Sequence, residues 1–207
     1  MYVTFERKGN TKGPSPCVSD AGYSELEPTP EPTGPTDTTH LVNGQGRGEL
    51  ASVPFSLSTI GSSGCGAIAL HNALILTGRT SNLKDLINYF SSKWRSRFTG
   101  VWPSEIESYL YWHEIHYWEL HSVDDIFKHA NDGVMIVTFW NAPQPRTILG
   151  ITFNNIPDGA HTVAIKYCGG MYYVYNAYNS DYFTRKMTES QLREYIGEGF
   201  FHGIGIG

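Results

Sequence analysis

The run "CGAIALHNALIL", Cys65 to Leu76, constrains this chain more than any other stretch. It reads as a helix that stops at Gly78, a residue suited to the position just past a helix end. Ile68, Asn72 and Ile75 fall on one face; Leu70, Ala73, Leu74 and Thr77 fall on another. A helix that is apolar over most of its circumference has no solvent face of its own. It must be central, with other elements packed around it.

The chain downstream supplies those elements. "SNLKDLINYFSSKW" carries Leu83, Leu86, Ile87 and Phe90 at helical spacing, and "PSEIESYLYWH" opens on Pro103 and carries Ile106, Tyr109 and Leu110. "SVDDIFKHAND" reads as a further helix with Ser122 as its N-cap. The texture then changes. "GVMIVTFW" is a buried strand, "RTILGITF" a weaker one, and "AHTVAIKY" and "MYYVYNAY" flank "CGG" as a hairpin. A short helix, "TESQLREYI", precedes a terminal strand, "FFHGIGIG". Helices first and strands later predict an α+β fold: an N-terminal helical layer, with Cys65 heading the central helix, packed on an antiparallel sheet. Sheet order does not follow from the pattern.

The N-terminal quarter is different. "EPTPEPTGPTDTTH" is rich in Pro, Thr and Glu and nearly devoid of large apolar residues, so residues 1–52 are expected to form a flexible Pro/Thr/Gly-rich arm. Residues 53–207 are expected to be the folded domain. The first ten residues, "MYVTFERKGN", lack the apolar core of a signal peptide, and no apolar run is long enough to span a bilayer. The net charge of -5, with Lys and Arg scattered, gives no footprint for nucleic acid. Three cysteines, Cys17, Cys65 and Cys168, argue against a disulfide framework and fit a reducing compartment; the expected location is cytoplasmic, or exported without a visible signal peptide. Cys168, in the hairpin turn, is expected to have no role.

Cys65 sits between two glycines at the start of the helix. The unpaired N–H groups there favour a thiolate, and a nearby imidazolium would favour it further. Among eight histidines, His161 is the best candidate, because it opens a strand where a side chain projects into a cleft. A third group should hold its ring, and Asn176 or Asn179 lies across the hairpin. Counting from a turn centred on Gly169 pairs His161 with Asn176, which is therefore preferred. Competing sites are weaker. In "WHEIHYWELH" the spacing of His113 and His116 departs from a zinc-binding H-E-x-x-H, and the segment reads as a strand, so no metal is expected. "GQGRGEL" follows no strand and lacks Lys, which argues against a phosphate loop. His71, nearly two turns along from Cys65, reads as a packed or surface residue.

"SGCGAIALHNAL", then "GAHTVAIKY" and "YVYNAYNS", resemble in order the papain-like cysteine peptidases, and most of all their bacteriocin-processing (double-glycine leader) branch. "TGVWPSEIESYL" resembles that branch's G-x-x-P helix start, and the likeness runs from about Pro54 to Gly207. The motifs are short, and their order carries the resemblance. It implies a papain-like fold and a peptide or protein substrate whose peptide or isopeptide bond Cys65 attacks. His161 would act as base and then acid, Asn176 would orient it, and no metal or other cofactor would be needed. The same triad also suits acyl transfer. One departure stands out. The family places a Gln about six residues before the cysteine to complete the oxyanion hole, and here that position is Thr59. Thr59, Ser62, Ser63 or a backbone group would have to replace it. Failing that, the cleft would belong to a catalytically degenerate binding module. The oligomeric state is not readable.

Overall fold

A computed structural model describes residues 36, 38–96, 100–141, 143–148, 151–157 and 159–207; of 143–148 and 151–157 it describes the backbone. A short helix α1 (Gly48–Ser52), a two-stranded ribbon β1 (Pro54–Phe55) and β2 (Ser58–Thr59), and a single turn α2 (Ile60–Ser63) lead into α3 (Cys65–Leu76). Helices α4 (Leu83–Ser91) and α5 (Pro103–Trp112) follow, then β3 (Tyr117–Leu120), α6 (Val123–Lys128) and β4 (Val134–Trp140). Strands β5 (Pro143–Ile148) and β6 (Ile151–Pro157) pair with each other as a separate ribbon. The chain ends with β7 (Ala160–Cys168), β8 (Met171–Tyr175), β9 (Arg185–Met187), α7 (Glu189–Ile196) and β10 (Phe200–Ile206).

Six strands form one antiparallel sheet in the order β3-β10-β4-β7-β8-β9. The terminal strand is thus internal, between β3 and β4. Period-two alternation gives the sheet two apolar faces. Val134, Ile136, Ala164, Tyr175, Ile204 and Ile206 pack with α3, α4 and α5. Met135, Val137, Phe139, Val163, Ile165 and Val174 pack with Ile126 of α6 and with Leu192 and Ile196 of α7. Helices therefore cover both faces, not one layer as the order of elements suggested. Both helices of the second pair are readable in the sequence, but the order of helices and strands along the chain does not record which face of the sheet a helix covers.

Local chemistry sets the helix ends. Beyond α3, the Gly78 N–H donates to Ile75 O and the Arg79 N–H to Leu74 O, the paired bonds of a Schellman stop. Asn82 caps α4 through the Lys84 N–H, Ser122 caps α6 through the Asp125 N–H, and Thr188 with Gln191 forms a capping box on α7. Gly169 and Gly170 make the two-residue turn that joins Cys168 to its partner Met171.

The expected boundary at residue 53 is corrected. Val42, Asn43, Gln45 and Leu50 are all buried, so the described part of the segment before Val53 belongs to the folded unit. Two polar residues that interrupt the apolar run of α3 hold it there. Asn72 accepts from the Val42 N–H and donates to Val42 O, both at 2.8 Å. The buried His71 donates through Nε2 to His40 O and bonds Ser81 Oγ through Nδ1. Burial holds the His71 pKa below its usual value, so the ring stays neutral between these partners. Composition hid this packing, because Leu41, Val42 and Leu50 are the few large apolar residues in a polar stretch. The Pro-rich tract itself, residues 1–35, lies outside the described residues, as does Cys17. Among the described residues no helix is long and apolar enough to cross a membrane.

Candidate active site

Cys65 is the first residue of α3, with Gly64 as the N-cap, so its backbone N–H is one of the helix's unpaired donors. Gly66 behind it admits the Val101 side chain; a Cβ there would lie 2.7 Å from Val101 Cβ. Helix α3 packs on β7, the strand that carries His161 and Thr162. The cysteine is free and half-buried. Its sulfur lies beside His161 and Thr162. Burial pushes the thiol pKa up, but the His161 bond and charge and the two Thr162 bonds outweigh it, and the net shift is downward. For His161, burial works against the charged ring, while Cys65 and the backbone of Asn176 and Ala177 favour it, and its pKa is raised. Both shifts favour a thiolate beside an imidazolium. Cys168, by contrast, is disulfide-bonded, against the expectation from the cysteine count, which says nothing of spatial pairing.

The third residue holds the ring differently from a side-chain amide. His161 Nε2 lies 2.8 Å from the backbone carbonyl of Asn176, not from its side chain. A carbonyl only accepts, so Nε2 carries a proton. The register corrects the turn count: Ala164 faces Tyr175, so Asn176 falls beside Val163 rather than opposite His161. The chain leaves the sheet there with φ +58°, a left-handed conformation that Asn tolerates better than most residues. That turn brings the carbonyl to the ring. The hydroxyl of Tyr195 donates to the next carbonyl, Ala177 O, and steadies the same bend.

The Asn176 side chain faces Gln45. Its Oδ1 accepts from the Gln45 N–H at 3.2 Å, and its Nδ2 donates to Gln45 Oε1 at 2.7 Å. Gln45 Nε2 in turn donates to Gly61 O in the turn before Cys65, at 3.3 Å. Asn43 Oδ1 accepts from the Asn176 N–H at 2.6 Å. Gly44 lets this segment lie against the loop after β8: its φ is +70°, and a Cβ would sit 2.7 Å from Asp181 O. A buried clasp thus ties "NGQG" to the residue that holds His161. Sequence reasoning weighed "GQG" only as a phosphate loop. The signal available was a glutamine between glycines upstream of the cysteine, but it stands twenty positions away, with α1, the β1–β2 ribbon and α2 between. Thr59 lies at the end of β2, and its hydroxyl bonds locally, 3.4 Å from Ser62 Oγ. Thr162, adjacent to His161, was also missed.

The other histidines are placed apart. His113 stacks on Tyr109, with ring centroids 3.9 Å apart, and bonds Tyr109 O. His116 lies beyond the end of α5, near Trp118.

No family model matches the chain, and no curated protein matches it. Among solved structures, it is similar to a crystal structure from Bacillus anthracis described as that of a C39-like peptidase. The identity is 14%, the TM-score is 0.48, and the match covers 70% of this chain and 88% of the other.

Proposed function

We propose that this protein is a papain-like cysteine peptidase that hydrolyses a peptide or isopeptide bond through Cys65, His161 and Asn176. One observation carries the reading: a free cysteine at the head of a buried helix lies beside a histidine whose ring is held through Nε2 by a fixed carbonyl. Lone cysteines at helix starts are common. One with a lowered pKa, an imidazole partner and a third group orienting that imidazole matches what nucleophilic catalysis requires.

The chemistry follows from the bonds. With Nε2 donating to Asn176 O, Nδ1 is the nitrogen left for the sulfur. The Cys65 thiolate attacks the scissile carbonyl carbon, and the backbone N–H of Cys65 donates to the oxygen as it gains charge. His161 gives its Nδ1 proton to the leaving amine, the C–N bond breaks, and a thioester remains. Water then attacks, His161 takes its proton, and the C–S bond breaks to free the acid. Asn176 O, a neutral acceptor, orients the ring throughout.

Gln45 is a better candidate than Thr59 for a second oxyanion donor. It is a buried carboxamide bonded to Asn176 and to the turn before Cys65, the group type that the family resemblance calls for. The test is turnover of a fluorogenic peptide library by the wild type, Cys65→Ala and His161→Ala. Hydrolysis by the wild type that each substitution abolishes supports the reading. No hydrolysis by the wild type, or hydrolysis that survives Cys65→Ala, overturns it.

A further inference from the structure

A cleft of about 530 Å³ opens on the α7 side of the sheet, and His161 forms part of its wall. That size is within the usual range for a ligand pocket, ~300–1,000 Å³. Phe139, Ala177 and Met187 give it an apolar floor, and Tyr178 and Tyr195 add aromatic walls. The Tyr195 hydroxyl is spent on Ala177 O, so what it offers the cleft is its ring. Phe139 meets the His161 ring edge-on at 6.0 Å and the Tyr195 ring at 5.1 Å, so the apolar floor is continuous with the imidazole. Asn141, Lys186, Gln191 and Glu194 complete the lining, and Arg185 is engaged by Asp181 at 2.6 Å. Nothing here selects strongly for a charge. The part of the cleft that adjoins the imidazole is aromatic: Phe139, Tyr195 and Tyr178 touch in sequence from His161.

The cleft is lined by His161, and Cys65 is not among its lining residues. That asymmetry decides which half of a substrate enters it. The sulfur bonds the carbonyl carbon, whereas the imidazole must reach the departing nitrogen to protonate it. A pocket on the imidazole's side therefore adjoins the leaving amine. We infer that this cleft is the leaving-group subsite, and that it takes a bulky apolar or aromatic side chain on the residue whose nitrogen is released. This rests on the reading of Cys65 and His161 as nucleophile and base.

By microscopic reversibility, an amine that attacks the thioester occupies the same place. Its nitrogen bonds the acyl carbon, His161 takes the proton, and the C–S bond breaks to restore the thiolate. The test uses the full chain, acylated by the p-nitrophenyl ester of N-acetylglycine. A burst of p-nitrophenol, absent in Cys65→Ala, reports the thioester. Deacylation is then divided among water, glycinamide and phenylalaninamide. The expected result is a burst, with phenylalaninamide trapping the acyl group at least ~10-fold better than glycinamide, in line with the 10–200-fold that apolar pocket contacts supply. Tyr178→Ala, a change at a half-exposed wall, should lower that ratio several-fold, as should Met187→Glu. A burst with equal trapping by the two amides overturns the subsite and leaves the peptidase reading intact. A ratio unchanged in both variants also overturns it. A missing burst overturns both readings.

Discussion

Asn176 shows how much one residue carries. Its φ of +58°, its carbonyl on His161 and its amide on Gln45 are three separate demands. Asn176→Gly keeps the first two and loses the third; Asn176→Ala keeps the carbonyl but adds left-handed strain of about 1–2 kcal/mol. Both variants should retain measurable turnover, since the acceptor is main-chain, and Asn176→Gly should be the more stable by roughly 1 kcal/mol in urea unfolding. If Asn176→Ala is the more stable, the backbone conformation is not what the site needs. Gln45 and Thr59 separate in the same way. Loss of an oxyanion donor costs about 10²–10³ in kcat. Gln45→Ala is expected to fall in that range, while Thr59→Val should stay within a few-fold of wild type. A large loss at Thr59 with little at Gln45 would reverse the assignment. Cys65 and His161 were legible in the sequence as candidates because a helix start and a strand start are local features. The clasp around Asn176 was not, because Gln45 and Asn43 reach it across more than a hundred residues.

At the scale of elements, the two polar residues inside α3 do as much as its apolar ones. His71 and Asn72 break the hydrophobic pattern because they satisfy backbone groups of the 40–42 segment. Asn72→Ala leaves the Val42 N–H and C=O buried without partners. Each unpaired buried group costs about 1–3 kcal/mol, so a loss of roughly 2–6 kcal/mol is expected from chemical denaturation. A loss under 1 kcal/mol would mean that the segment is held by other contacts. The helices and the β7–β8 hairpin were readable from period, caps and the double-glycine turn. Two features were not. Strand β10 inserts between β3 and β4, and helices cover the second sheet face; both are choices of long-range pairing that no local pattern records.

Across the whole molecule, α3 is gripped from three sides: by the sheet, by α4 and α5, and by the segment that runs from residue 38 to α1. A chain beginning at Val53 loses the buried Val42 and Leu50, each worth about 1.5–3 kcal/mol, along with Gln45. It should melt well below a chain beginning at Thr38, and its Cys65 should lose reactivity. Equal melting temperatures would return the domain boundary to residue 53. Reactivity at Cys65 is also the property on which the functional reading depends. The pKa shifts point one way: the thiol is lowered mainly through His161, against burial, and His161 is raised mainly through Cys65. The thiolate should therefore form below the ordinary thiol value of about 8.5 and keep its charged partner above the ordinary histidine value of about 6.5. The most direct test is the rate of Cys65 alkylation by iodoacetamide against pH, read by peptide mass spectrometry in the wild type and in His161→Ala. The expected result is labelling of wild-type Cys65 that sets in below the ordinary thiol value of about 8.5, with the His161→Ala profile moved to higher pH. Labelling of wild-type Cys65 only above about pH 8.5, or profiles that coincide, would contradict the thiolate–imidazolium pair.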